Sequence, residues 1–326
     1  MRTPVDPTQR RRLLKAAGGL LVTVPALGFL AACRSQSAGA NATATNAAND
    51  GATASRWASG GTAKIGDPSR FPNPFGDALG DACKLTCMAT IGPCHAASPE
   101  HSDVSDGWEG LPMRMALRVV DKDCRPVPNA IVEIWHTNRT GGYSGQIAAM
   151  CNNDQADLDK QFFRGWQRTD ADGRVDFDTC YPGWYRGRAV HVHLRVMTGA
   201  YDRDDRAASA VTTQLLYTDA LNHEIFTTHP LYKPYGEPDT TLDRDGVVGA
   251  ETDKAPYLFD VQRMDDGVMF VSKTLIVRNA GDQDVCEAKG IMPPGGPGGP
   301  DGRPLGAPPD GFGPPPQDMP PPSSSS

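Results

Sequence analysis

Met113, Met115, Leu117 and Val119 alternate with Arg114, Ala116 and Arg118, and that period of two constrains the fold more than any other feature of the chain. Successive side chains of a β-strand point to opposite faces, so the run describes a strand with one buried and one wetter face. Asp121, Lys122 and Asp123 then turn the chain. A β-branched strand over 130–135 follows the Pro128-Asn129 turn, and residues 169–173 form a turn between two strand-like pieces. Asp170 and Asp172 before Gly173 faintly resemble a calcium loop, but the other ligand positions are missing and a plain turn explains them. Asp265, Asp266 and Gly267 join residues 259–264 to 268–277 as a hairpin. Helix is sparse, with one short segment expected over 219–227 and Asp219 as its cap. Short strands joined by Gly, Asp and Pro turns predict a mainly β fold, an antiparallel β-sandwich with few short helices.

The strands occupy only the middle of the chain. With 39% hydrophobic residues in 326 the chain can bury a core, but 35 Gly and 29 Pro place much of it in turns and tails. One folded domain over 71–290 is expected, with flanking segments. Residues 1–33 read as an export signal: Arg10, Arg11 and Arg12 resemble a twin-arginine signal, the apolar run over 16–32 is too short and broken to be a good membrane span, and Leu30-Ala31-Ala32-Cys33 resembles the bacterial lipobox. A plain secretory signal with an accidental Cys is the alternative. A lipidated Cys33 would anchor the exported protein to the membrane of the bacterial cell envelope. Residues 34–70 are Ala, Asn, Ser, Thr and Gly with little apolar periodicity, and are expected as a disordered tether. Residues 291–326, rich in Gly-Pro and Pro-Pro, are expected as a disordered tail. The formal charge is -7 with both signs interspersed, so no Lys/Arg stripe invites nucleic acid.

Setting Cys33 aside, Cys83, Cys87, Cys94, Cys124, Cys151, Cys180 and Cys286 remain, scattered rather than in CxxC pairs. Structural disulfides are expected over a metal cluster, their pairing is open, and the odd number leaves a thiol over.

Residues 185–193 bring a phenol (Tyr185), a guanidinium (Arg188) and two imidazoles (His191, His193) into nine positions. On a strand over 189–196 the two imidazoles share a face, which is either half of a metal site or a chance pattern in a polar strand. A second stretch, Val132 to Gly145, ends a strand at Trp135 and presents Tyr143 after a Gly-rich turn. Two phenolates with two imidazoles are a donor set suited to Fe(III), a hard ion whose charge anionic oxygens balance.

Several pieces together resemble a known family. Pro128 to His136, Gly142-Tyr143-Ser144, Phe163 to Gly173, Tyr181 to Arg188, His191-Val192-His193 and Thr213-Gln214-Leu215 occur in the order seen in the intradiol ring-cleavage dioxygenases, the catechol and protocatechuate group, especially its exported members. The resemblance covers about 84–277. It implies a non-haem Fe(III) cofactor held by Tyr143, Tyr185, His191 and His193. Tyr143 and His191 would stay bound, whereas Tyr185 would leave when a catechol-type substrate arrives and take one of its protons. Arg188 would face the ring, with Gln214 nearby, and the substrates would be a catechol and O2. A muconate-type diacid would be the product. Trp184, Trp166, Tyr181 and Ile134 are candidate pocket walls, with plain core packing the alternative for each. His136 is assigned hydrogen bonding behind the ligands. The stretch 86–94 departs from the family pattern, and the Asp- and Arg-rich stretch 198–210 is either a lid or a loop. Outside the enzyme reading stand a non-catalytic β-sandwich lipoprotein serving as a binding module, and a zinc or copper His-x-His site, which leaves both tyrosines unexplained.

Overall fold

The computed structural model describes residues 56–76, 83–145, 151–152, 154–202, 211–279 and 282–290. The signal segment 1–33, the tether as far as residue 55, residues 203–210 and the tail 291–326 lie outside the described residues.

The described chain folds as strands β1 (Pro112–Val120), β2 (Ile131–Trp135), β3 (Arg164–Arg168), β4 (Arg174–Cys180), β5 (His191–Met197) and β6 (Val211–Leu216), then helix α1 (Asp219–Thr228), then β7 (Asp260–Arg263) and β8 (Met269–Ile276). They form two four-stranded sheets, in the orders β4-β1-β8-β7 and β3-β2-β5-β6. Met113, Met115, Leu117 and Val119 of β1 pack with Phe177 and Val271 of the same sheet against Val132, Ile134, Val192, Leu194 and Val196 of the other. The alternation therefore points its apolar side into the sandwich, as the period of two requires.

One pairing departs from the expected antiparallel pattern: β1 runs parallel to β8, with Met113 opposite Met269 and Val120 opposite Ile276. Period two identifies a strand and its buried face but says nothing about the direction of its neighbour. The hairpin between β7 and β8 forms as expected. Helix α1 is capped by the Thr218 hydroxyl, which accepts the Leu221 N–H at 3.3 Å, and not by Asp219, whose carboxylate takes the Leu242 N–H at 3.1 Å.

The packed part of the chain begins before residue 71, where the sequence sets its start. Trp57 lies in the sandwich core, and Ile65 and Phe71 cover the outer face of the first sheet over Ala116 and Phe270. Three apolar anchors without periodicity suffice, because the sheet offers an apolar patch that must be covered. Ala116, expected on the wetter face, is accordingly fully buried.

Three disulfides, Cys83–Cys124, Cys87–Cys286 and Cys94–Cys151, tie the described chain, and Cys180 is the buried free thiol. The first two secure the stretch from Cys83, which runs past β8 with Thr86 N–H on Ile276 O and reaches β6 with Ala89 N–H on Thr212 O. This path delivers residues 90–94 to the outer face of the second sheet.

Candidate metal centre

On β5, Val192, Leu194 and Val196 enter the core, so His191 and His193 project from the opposite face. The register sets Trp135 of β2 and Gln214 of β6 on either side of His193. Tyr143 comes from the loop after β2. There the Asn138 side chain accepts N–H groups of Thr140 and Gly142, folding the loop back. Gly141 has a φ of 89°, and a Cβ there would lie 2.2 Å from the Trp184 carbonyl oxygen, so only glycine allows this loop to seat against the 184–185 segment. The close approach brings the two tyrosines to one place.

All four sequence-nominated ligands converge. The Tyr143 and Tyr185 hydroxyls lie 3.3 and 3.2 Å from His191 Nε2, and His193 Nε2 lies 3.2 Å from the same atom. The His191 Nδ1–H donates to Ala189 O at 2.6 Å, which leaves Nε2 as the bare nitrogen. One lone pair serves one good hydrogen bond, yet three polar atoms crowd it. As a hydrogen-bond network the cluster is oversupplied; as a set of donors around a shared cation it is complete. Among the described residues no three His, Cys, Asp or Glu side chains gather where they could hold a metal, so phenols and imidazoles are what this centre offers.

Burial sets the protonation of the donors. Both imidazoles are held well below the ordinary histidine pKa, His191 by burial and then by the nearby Arg188 cation, His193 by burial and then by His191. They are therefore neutral, the form that ligates. Burial, reinforced by the Tyr185 phenol beside it, raises Tyr143 well above its usual range, so a cation is needed to draw out the phenolate. Tyr185 is half-buried where Tyr143 is only 1% exposed.

Arg188 and Gln214 are brought to the same site and to each other: Arg188 Nη2 donates to Gln214 Oε1, and Gln214 Nε2 donates to Thr90 O at 2.9 Å. Arg188 Nε also donates to Asp245 at 3.0 Å. Asp245 had no signal in the sequence; it sits in a Gly/Val loop with no motif around it.

Other nominated residues fall elsewhere. Tyr181 and Ile134 belong to the inter-sheet core, with Tyr181 Oη bonded to Asn222, so neither walls the centre. Trp166 stacks on Tyr201 at 5.2 Å, and Trp184 donates to Gly236 O at 3.0 Å. His136 bonds Thr137 O and the Thr179 hydroxyl, both at 2.8 Å, and not the ligands.

A family model described as Dioxygenase matches residues 93–220, a span that contains all four donors, Arg188 and Gln214. Over this part of its length the chain is similar to ring-cleavage dioxygenases. It is 29% identical over 135 residues to the protocatechuate 3,4-dioxygenase beta chain of Burkholderia cepacia, covering 39% of this chain and 51% of that protein. With catechol 1,2-dioxygenase 2 of Acinetobacter lwoffii it shares 34% identity over 101 residues, 29% of this chain and 33% of that one. The chain thus spans about half or less of these intradiol relatives. Among solved structures, an intradiol ring-cleavage dioxygenase from Tetranychus urticae superposes with a TM-score of 0.52 at 22% identity, covering 63% of this chain and 99% of the other, which shows a shared fold.

Proposed function

We propose that this chain is a non-haem Fe(III) dioxygenase that opens a catechol-type ring between its two hydroxylated carbons, placing both atoms of O2 in a muconate-type diacid. The observation that carries the reading is the crowding of Tyr143, Tyr185 and His193 around the single lone pair of His191. Two phenolates and two imidazoles would hold ferric iron in preference to zinc, since anionic oxygens match its charge. The iron, when bound, supplies Lewis acidity and a template on which a deprotonated catechol is oriented for direct reaction with O2.

The remaining work falls to the chain. Tyr185, the half-buried phenol, is the one placed to give way to substrate and to accept a catechol proton at Oη. Tyr143, buried and bound by its N–H to Cys151 O, stays. Arg188, fixed by Asp245 and Gln214, offers a preoriented cation to charge building on the ring. Removing a preorganised donor of this kind costs about 2.7 to 4 kcal/mol of barrier. From Arg10, Arg11, Arg12 and Leu30-Ala31-Ala32-Cys33 we also propose that the protein is exported and anchored through a lipidated Cys33; Cys33→Ala is expected to move it from the membrane to the soluble fraction of fractionated cells.

Purified protein loaded with Fe(III) is expected to be red-brown from phenolate-to-iron charge transfer, and to consume O2 with at least one of catechol, protocatechuate, hydroxyquinol or chlorinated catechols. Tyr143→Phe is expected to shift or bleach the band and His191→Ala to lose the metal. Colourless, iron-free protein after folded export, or full colour and activity in both variants, rejects the assignment.

A further inference from the structure

His191 and His193 share a strand face but are held in different ways. The His191 ring is fixed through its Nδ1–H to Ala189 O, whereas His193 Nδ1 is buried and has no hydrogen-bond partner among the described residues. Metal-bound imidazoles ordinarily donate their second N–H to a carbonyl or carboxylate, which sets the ring plane and strengthens the ligand. His193 lacks that anchor and has a stack in its place.

Its ring lies over the Trp135 indole at 4.8 Å between centroids and 8° between planes, the two residues being directly opposite across β2 and β5. Gly92 also abuts the imidazole, so closely that a Cβ there would come within 3.1 Å of His193 Cε1. Trp135 is fully buried and its Nε1 has no partner among the described residues either, so no hydrogen bond from the indole fixes the stacked pair. Against the indole packs His95, edge-on at 4.8 Å and 69°. There the first polar anchor appears: His95 Nε2 lies 3.2 and 3.3 Å from the two oxygens of Glu133. Glu133 is itself immobilised, accepting from Ser98 Oγ at 2.6 Å, Tyr201 Oη at 2.8 Å and Arg195 Nε at 2.9 Å. The sequence Glu133, His95, Trp135, His193 thus runs from a pinned carboxylate to a ligand ring that has no pin of its own.

We propose that Trp135, backed by His95 and Glu133, is the positioning residue for His193, and that the two imidazoles are unequal ligands, His193 being the more readily released. The inference rests on the ferric reading of the centre. An aromatic stack restrains tilt but allows sliding and rotation in the plane, whereas the His191 hydrogen bond fixes both, so the inequality follows from the two modes of support.

The test is iron release. Wild type, Trp135→Leu, Trp135→Phe and His95→Ala are loaded with Fe(III) and mixed with excess strong ferric chelator, and decay of the tyrosinate-to-iron band gives the rate. Trp135→Leu is expected to release iron about tenfold faster or more, the scale seen when an outer partner of a metal ligand is lost. Trp135→Phe, which keeps a ring face, is expected to stay near the wild-type rate. His95→Ala removes only the backing of the stack and is expected to fall between; it decides the matter should Trp135→Leu fail to fold. In all three the band should keep its position, because both tyrosines remain bound. Wild-type release rates in Trp135→Leu and His95→Ala overturn the inference, as does a Phe variant no better than Leu. Failure of the ferric reading looks different: the wild type itself takes up no iron, and both ideas fall together.

Discussion

Among single residues, Asp245 shows most clearly how this centre is built. Its carboxylate is fully buried, and Oδ2 accepts Arg188 Nε at 3.0 Å and the Ala189 N–H at 2.9 Å. Its other oxygen takes the N–H groups of Val247 and Val248 at 2.9 and 3.2 Å. Burial alone would raise this carboxyl, but the Arg188 cation and these donors outweigh it and hold it below the ordinary range. Arg188 can therefore be both largely enclosed and aimed, since its charge is balanced on one side only. Asp245→Ala is expected to cost up to about 3 kcal/mol of stability, because it removes the buried partner of a largely enclosed guanidinium. Asp245→Asn, which keeps acceptors, is expected to cost less but to lower kcat in oxygen uptake as Arg188 loses its charged partner. Denaturant melts and steady-state rates check the two; a wild-type melt for Asp245→Ala contradicts this account. At this scale the sequence nominated the four side chains that cluster and not the residues that support them. Tyr143, Tyr185, His191 and His193 are legible because their chemistry is rare and their spacing is local. Asp245 is reached only through the fold, and nothing near it in the chain marks it; Thr90 lies in the 86–94 stretch, whose departure from the family pattern gave no role to this carbonyl.

Elements explain how distant stretches meet. The Tyr143 loop and the stretch 90–94 come from different parts of the chain and flank the same four donors. Cys94–Cys151 joins them, and Cys151 O accepts the Tyr143 N–H at 2.9 Å. This disulfide therefore acts on the centre as well as on the unfolded chain. Cross-linking residues 57 apart is worth about 4 kcal/mol in the chain-entropy account. The Cys94→Ser/Cys151→Ser pair is expected to lose about 2 to 5 kcal/mol, and also to weaken the tyrosinate band as the Tyr143 loop loosens. Cys83→Ser/Cys124→Ser, which opens a loop 41 residues long, is expected to lose similar stability but to keep the band. Equal bands in the two pairs would show that the Cys94–Cys151 bridge has no part in holding Tyr143. The expectation of disulfides over a cysteine metal cluster holds, but their pairing was not legible, since seven scattered cysteines allow many connections. Strand existence was legible from periodicity, whereas the parallel β1–β8 pairing was not, because pairing depends on which edges the whole sheet leaves free.

For the molecule as a whole, the buried imidazoles make stability depend on pH in a predictable sense. His136 is fully enclosed between Thr137 O and Thr179, and burial, with the Arg164 cation also opposing a proton, lowers its pKa from 6.5 to about 4. Its folded-state pKa is depressed, so between those values the unfolded chain binds a proton that the folded chain refuses. Stability from this residue is thus fully present above pH 6.5 and declines as pH falls, levelling off near 4. At about 1.4 kcal/mol per pKa unit the loss amounts to about 3 kcal/mol. In metal-free protein His191 and His193, lowered for the same reason, add to the decline. Glu133 acts in a lower window: burial opposes its charge, but the His95, Arg195 and Ser98 contacts win, so its contribution is present above the unfolded carboxyl pKa and is lost only as pH falls below that. Denaturant melts of metal-free protein from pH 7 to 4 should therefore show falling stability well before carboxyl groups titrate. In His136→Asn, whatever its starting stability, the slope between pH 6.5 and 4 should be shallower. An unchanged slope would mean that His136 accepts a proton in the folded state as readily as in the unfolded one, and that its closed pair of hydrogen bonds opens more easily than its burial indicates.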